Sequence, residues 1–322
     1  MNKLKPLLGN NAINQIAFVV HDIETASEAF AKLLGMPRPE WFLTGSPEIS
    51  QVVYRGEPSA ARSKLIFMDT PSIQIELIEP NEDPSTMRDF LDNDGEGIHH
   101  VAFDVDDMKD RVSTMENQGF PVLQTGEFTS SNGRYAYVDT LDQYKTLVEL
   151  LEREEPQVNT DRQNEKSELE PLLETDTVTQ MAIVVRDIES TADAYCKLLG
   201  VDRPSIIQSG PGEMTKIEFR GQPTEAKAKF MFIKTPLIEL ELIEPDDASP
   251  SIWREHLDTK GEGIHHIAFV VKNIREKIGM LERMGYPVIQ KGSFWNGKGE
   301  YAYIDTTSTY KVVIELLEKY EN

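Results

Sequence analysis

Nearly the whole first half of this 322-residue chain is written again in its second half. Gly95–Phe103 reads Gly-Glu-Gly-Ile-His-His-Val-Ala-Phe, and Gly261–Phe269 reads Gly-Glu-Gly-Ile-His-His-Ile-Ala-Phe. Gln15, Asp22, Ile23, Glu24 and Lys32–Gly35 return as Gln180, Asp187, Ile188, Glu189 and Lys197–Gly200. Ile73–Pro80 matches Ile238–Pro245, and Tyr135–Thr140 matches Tyr301–Thr306. A repeat of this length means two copies of one folding unit, each large enough for a core of its own. Between them, from about Glu152 to Glu170, the chain is polar and charged with Pro156 and almost no apolar residue, as a linker is. The expected division is residues 1–152, a linker over 153–174, and residues 175–322.

A weaker repeat lies inside each half. Ile13–Phe18 resembles Ile98–Phe103, and Glu76–Glu79 resembles Glu149–Glu152. Ile13–Val20 alternates as a strand does, and Asp22–Leu34 carries apolar residues at helical spacing before Gly35 stops it. Arg55-Gly56-Glu57-Pro58 separates a strand at Gln51–Tyr54 from one at Lys64–Met68, which reads as a hairpin. The pattern predicts an α+β fold of βαβββ modules, two per half, at about 12–80 and 97–152 and again at about 177–245 and 263–320. Residues 1–11 show no periodicity and read as an arm.

A formal net charge of −22 argues against nucleic acid and anionic membranes as partners, because both select basic surfaces. No apolar run reaches membrane-spanning length, and the start lacks the apolar core of a signal peptide. With one cysteine, Cys196, no intramolecular disulfide is possible, and a cytoplasmic location is expected.

Four of the six histidines sit in the repeated phrase, as His99, His100, His265 and His266. On a regular strand neighbouring side chains point to opposite faces, so His100 is expected beside Ala102 and Asp104, with His99 on the other face. His99 and His265 are accordingly expected to be structural, as are His21 and His256. The inner repeat places Gln15, Glu76, His100 and Glu149 at equivalent strand positions in the first half, and Gln180, Glu241, His266 and Glu315 in the second. Each glutamate has apolar neighbours, and a carboxylate aimed into a core is costly unless it is paired or binds a metal. One imidazole nitrogen and three side-chain oxygens suit Zn, Ni, Co or Mn with open positions for water or substrate.

These modules, with the phrases Glu-Leu-Ile-Glu-Pro and Gly-Glu-Gly-Ile-His-His-Ile-Ala-Phe, resemble the vicinal oxygen chelate superfamily, especially methylmalonyl-CoA epimerase. The resemblance implies two tandem domains of paired modules and a divalent metal ion held by the two quartets. It implies an isomerase that abstracts the proton next to a carbonyl through a metal-chelated enediolate, with Glu149 and Glu315 as catalytic bases. Glu48 and Glu213 match the position of a catalytic glutamate in the epimerases, although the sequence around them differs. The epimerases usually carry histidine where Gln15 and Gln180 stand. The Gln-Glu-His-Glu set instead resembles that of some glyoxalase I enzymes (lactoylglutathione lyases), and it counts against the extradiol dioxygenases. The implied substrate is a CoA thioester or an α-keto thiol adduct. A non-catalytic drug-binding protein of the same fold is the third reading. The two domains are expected to pack as an internal pseudo-dimer, with the oligomeric state left open.

Overall fold

The computed structural model describes residues 4–130, 132–154, 169–210, 212–246, 248–294 and 297–320, the side chains of 212 and 213 excepted. Of the expected linker only 153–154 and 169–174 fall among them.

In the first half β1 (Gln15–Val19) and α1 (Ile23–Leu34) are followed by β2 (Phe42–Leu43), α2 (Pro47–Ser50), β3 (Val53–Tyr54), β4 (Glu57–Pro58), β5 (Ser63–Asp69) and β6 (Gln74–Pro80). Then come α3 (Thr86–Asn93), β7 (Gly97–Asp104), α4 (Met108–Asn117), β8 (Val122–Glu127), β9 (Gly133–Val138), α5 (Leu141–Tyr144) and β10 (Leu147–Arg153). The second half repeats the series. It runs β11 (Gln180–Val184), α6 (Ile188–Leu199), β12 (Ile207–Gln208), α7 (Gly212–Thr215), β13 (Glu218–Phe219), β14 (Gln222–Pro223), β15 (Ala228–Lys234) and β16 (Glu239–Pro245). It ends with α8 (Ile252–Thr259), β17 (Gly263–Val270), α9 (Ile274–Arg283), β18 (Val288–Ser293), β19 (Gly299–Ile304), α10 (Thr307–Tyr310) and β20 (Val313–Lys319).

Each half forms one curled sheet of ten strands, in the order β2-β5-β6-β1-β7-β10-β9-β8-β3-β4 and its counterpart. At the centre β1 runs parallel to β6 and antiparallel to β7, and β7 runs parallel to β10. The first and last long strands of both modules therefore lie side by side, which is where the inner repeat puts its polar residues. The expected hairpin partner of Val53–Tyr54 is wrong, however. β3 folds back on β4 and pairs with β8, at the far edge from β5. The two-residue strand is too short to hold its sequence neighbour, and the segment crosses over to close the curl.

Alternation decides the faces of β1. Ile16 and Phe18 enter the large core beneath α1, while Gln15, Ala17 and Val19 look into the curl. The capping of α1 explains its limits: Asp22 accepts from the Glu24 and Thr25 amides, and Gly35 ends it in the left-handed conformation (φ 64°). A second constraint acts on that glycine, because a Cβ there would strike the backbone nitrogen of Pro171. Gly200 (φ 62°) is held against Pro6 in the same way. The segments Leu4-Lys5-Pro6-Leu7-Leu8 and Leu169-Glu170-Pro171-Leu172-Leu173 are thus a further repeat, and each packs on the opposite half. The Leu7 amide donates to the Leu198 carbonyl and the Leu172 amide to the Leu33 carbonyl, while Leu8 and Leu173 are buried. Residues 171–173, expected as linker, are therefore part of the packed structure.

The helix-bearing backs of the two sheets share one hydrophobic core. Across it Phe30 meets Tyr310 edge-on with ring centres 5.6 Å apart, and the Tyr195 hydroxyl donates to the Tyr144 carbonyl at 2.8 Å. Reciprocal ion pairs, Lys145–Glu262 at 3.0 Å and Lys311–Glu96 at 2.8 Å, repeat the twofold relation at the interface. Among the described residues no helix is long and apolar enough to cross a membrane.

Candidate metal centres

The four central strands of the first sheet deliver Gln15, Glu76, His100 and Glu149 to one end of the curl. Their register is set by Ala17, which pairs with Glu76 on one side and His100 on the other, and by Ala102, which pairs with Gln15 and Glu149. Glu76, His100 and Glu149 each offer an atom, and these atoms lie within 4.8 Å of one another; Glu241, His266 and Glu315 do the same. His100 Nε2 is 3.1 Å from Glu149 Oε2 and 3.5 Å from Glu76 Oε2. In the second half the distances are 3.1 and 3.4 Å.

The angles at these contacts do not make hydrogen bonds. His100 Nε2 and Glu149 Oε2 stay buried without a hydrogen-bond partner, as do His266 Nε2, Glu241 Oε2 and Glu315 Oε2. Gln15 donates Nε2 to Gln74 at 2.8 Å, which leaves its own Oε1 buried and unpartnered. Gln180 is anchored likewise on Glu239, at 3.3 Å. Orphaned buried lone pairs on a converging N/O donor set suit a divalent ion, because without one each carries an uncompensated desolvation cost.

Electrostatics point the same way. Burial alone would lower the His100 imidazole, but the Glu149 and Glu76 carboxylates raise it to about 9, and His266 behaves alike. Burial raises Glu76, with Glu149 adding to the shift, and lifts Glu241 to about 7. Protons occupy places that a cation would fill.

The histidine pair departs from the expected alternation. Ala17 pairs with His100 and Phe18 with Ile98, so His99 is an extra, unpaired residue; Ala182, Ile183 and His265 show the same bulge. A bulge places consecutive side chains on one side of the strand. Both rings accordingly lie inside the curl, with His99 Nδ1 2.8 Å from His100 Nδ1 and His265 Nδ1 2.8 Å from His266 Nδ1. The expectation that His99 and His265 face away is corrected by this insertion.

Above the quartets open two cavities, of about 640 Å³ in the first half and about 390 Å³ in the second. Tyr135 and Tyr137 line the first, Tyr301 and Tyr303 the second. Glu48 is not among the residues brought to the site: it is exposed on α2, bonded to the Ser46 hydroxyl at 2.5 Å. The Glu213 side chain lies outside the described residues. His256 packs edge-on against His265, at 5.0 Å, and His21 is exposed. Gln74 and Glu239, which anchor the glutamine ligands, escaped the sequence reading. Their signal was available, since each stands two residues before a quartet glutamate and so on the same face of its strand.

The chain belongs to the Glyoxalase/Bleomycin resistance protein/Dioxygenase superfamily, whose sequence pattern matches residues 14–138 and again 179–303. Single halves are similar to ethylmalonyl-CoA/methylmalonyl-CoA epimerase of Cereibacter sphaeroides (29% identity; 36% of this chain and 76% of that one). They are also similar to the mitochondrial methylmalonyl-CoA epimerase of Dictyostelium discoideum (22%; 45% and 81%). An uncharacterized Bacillus subtilis protein, YqjC, is 25% identical over 46% of this chain and 97% of its own length. Among solved structures, a mutant 4-hydroxymandelate synthase from Streptomyces coelicolor matches 97% of this chain and 94% of its own, with TM-score 0.57 and 15% identity. That likeness shows the two-domain fold alone.

Proposed function

We propose that the protein is a divalent-metal-dependent isomerase that moves a proton at the carbon beside a substrate carbonyl, with epimerisation of an acyl-CoA as the first reading. The observation that carries it is the duplicated Glu-His-Glu cluster with its unpartnered Nε2 and Oε2 atoms. Gln15, Glu76, His100 and Glu149 would hold one ion and Gln180, Glu241, His266 and Glu315 a second; one nitrogen and three oxygens suit Zn, Ni, Co or Mn. A divalent ion bound there supplies Lewis-acid polarisation of a substrate carbonyl, which acidifies the neighbouring C–H.

The protein groups then handle the proton. Glu149 lines the first cavity and Glu315 the second, so each is placed to take a proton from a carbon held in the cup. Glu241, lifted to about 7, is a carboxylate able to carry a proton near neutrality, and burial, with Glu149 adding to it, raises its counterpart Glu76 in the same direction. The Tyr137 ring lies edge-on to His100 at 4.9 Å and forms one wall of the cluster.

The epimerase reading draws on the relatives that match each half. A glyoxalase-type reaction on an α-keto thiol adduct is the second reading, favoured by the glutamine ligands, whose amides are tethered so that Oε1 is left for the site. Incubating metal-loaded protein in D₂O with methylmalonyl-CoA, and separately with the glutathione adduct of methylglyoxal, distinguishes them. Deuterium at the α-carbon with interconversion of epimers supports the first, and isomerisation of the adduct the second. Binding of either compound with no exchange and no turnover leaves the non-catalytic binding protein.

A further inference from the structure

We infer that His99 and His265 are positioning residues: each accepts at Nδ1 the proton carried by Nδ1 of the neighbouring ligand histidine. That bond fixes His100 and His266 as the tautomer whose Nε2 lone pair faces the carboxylates. The inference rests on the proposed metal reading and adds to it a residue that alternation had placed on the wrong face.

An Nδ1···Nδ1 contact of 2.8 Å holds one proton. Two N–H groups would collide there, and two lone pairs would repel. If the shared proton belonged to His99, a neutral His100 would carry its own proton on Nε2, aimed at Glu149 and closed to an ion. If it belongs to His100, Nε2 is free and His99 is protonated on its Nε2 instead.

The contact exists because of the bulge. A regular strand would send the two rings to opposite faces and leave His100 Nδ1 in search of another acceptor. The bulge leaves one residue out of the β1–β7 ladder, and the same disruption occurs in both halves. The accepting ring is also held in place. Phe90 and Tyr137 stand edge-on to His99 at 5.3 and 5.6 Å, and His256 and Tyr303 edge-on to His265 at 5.0 and 5.7 Å. Metal-binding histidines commonly donate their second N–H to a carboxylate, carbonyl or water. Here an imidazole takes that place.

The test uses zinc and the full chain. His99→Leu with His265→Leu removes the acceptor, while His99→Asn with His265→Asn restores an oxygen near the Nδ1 position. Zinc affinity, read by competition with a chromophoric chelator, is expected to fall about 10–100-fold in the leucine variant. It should return to within a few-fold of wild type in the asparagine variant. Long-range ¹⁵N–¹H couplings in the zinc-loaded wild type are expected to place the His99 and His265 protons on Nε2. A folded leucine variant that binds zinc like wild type, or an asparagine variant as weak as the leucine one, overturns the inference. A His99 proton found on Nδ1 does so too, and that measurement stands even if the leucine variant fails to fold. Wild type that takes up no zinc removes the metal reading and this one with it, whereas wild type and leucine variant equally loaded removes only this one.

Discussion

The two cups keep the same floor and have different walls. Distances from the histidine to its two carboxylates agree within 0.1 Å between halves, being 3.1 and 3.5 Å in one and 3.1 and 3.4 Å in the other. The space above does not agree. Met87 of the first cup is replaced by Trp253 in the second, where the indole lies edge-on to Phe230 and donates Nε1–H to the Tyr303 hydroxyl at 3.2 Å. That ring fills volume that the first cavity leaves open. The mouths differ in charge as well. Glu239 lines the second cup where its counterpart in the first half is the buried Gln74, and Arg62 and Arg153 line the first cup where, among the described residues, Lys319 is the cationic side chain lining the second. Burial raises both Glu76 and Glu241; Arg153 offsets part of the rise at Glu76, whereas Glu239 adds to it at Glu241. Exposed Phe42 and Phe67, 5.8 Å apart, rim the first cup. The same donor atoms thus stand beneath walls that differ in shape and charge, and under the proposed function the two cups would select different ligands for one type of chemistry.

The largest effect that can break this comparison comes from the base. Glu149→Gln and Glu315→Gln, made singly and together, are expected to reduce turnover by about 10²–10⁴-fold in whichever cup accepts the substrate. Steady-state kinetics with one substrate assigns it: a loss confined to Glu149→Gln means that only the first cup turns it over. Equal halving by each single variant means that the walls do not discriminate.

Acidity gives the next largest effect. An ion must displace the proton that holds His100 and His266 at about 9, against a usual 6.5. Apparent metal affinity is therefore expected to fall about tenfold for each pH unit below 9, with a steeper fall in the second cup below pH 7, where Glu241 also holds a proton. In the metal-free protein stability runs the opposite way with pH. A raised histidine contributes fully below pH 6.5 and loses its contribution as pH rises through about 9, because the folded state binds the extra proton. Melting temperatures with and without zinc across pH 6–9.5 check both statements; a metal-free protein that gains stability over that range contradicts the assignment.

Trp253→Met should give the second cup the shape of the first. The expected cost is about 1–3 kcal/mol of stability, from the lost ring contacts and the hydroxyl of Tyr303 left without its donor. Chemical denaturation measures it. A bulky aryl hydroxamate should then bind the second cup as it binds the first, and no gain in binding would show that size is not what separates them.

Sequence legibility followed the same division between floor and walls. The quartet could be read because the repeats mark strand positions, and the sheet order then brings those strands together. The bulge at His99 could not, because one inserted residue is set by tertiary pairing and leaves no mark on the period of the strand. The crossing of Val53–Tyr54 to β8 was hidden for a similar reason: two residues carry no pattern of their own. The buried arms were legible in principle from the repeated Leu-x-Pro-Leu-Leu, but the charge of the neighbouring linker masked it. Glu48 was placed by family position alone, and its turn puts the side chain in solvent.

The smallest effect isolates charge from shape. Gln74→Glu and Glu239→Gln exchange the mouths at almost constant volume, and each new residue keeps an oxygen to accept the amide of Gln15 or Gln180, as both natural residues do. Gln74 also donates Nε2 to Asp69 at 2.9 Å, so Gln74→Glu is made together with Asp69→Asn, whose amide donates in its place and keeps the tether of Gln15. Two chelators of a bound metal serve as probes: acetohydroxamate, which is neutral beyond its chelating end, and succinic monohydroxamate, which adds a carboxylate. The cups are read separately by calorimetry on zinc-loaded protein, with His266→Ala or His100→Ala silencing the other one. The first cup is expected to prefer the carboxylate-bearing probe and the second to show no such preference. A single partly exposed charge is worth about 0.2–1 kcal/mol, so Gln74→Glu should weaken the preference by about twofold to fivefold and Glu239→Gln should create one of that size. Raising the salt concentration should shrink the difference, because the mouth is open to solvent. Identical preferences in all four proteins would reduce the contrast between the halves to the indole of Trp253 alone.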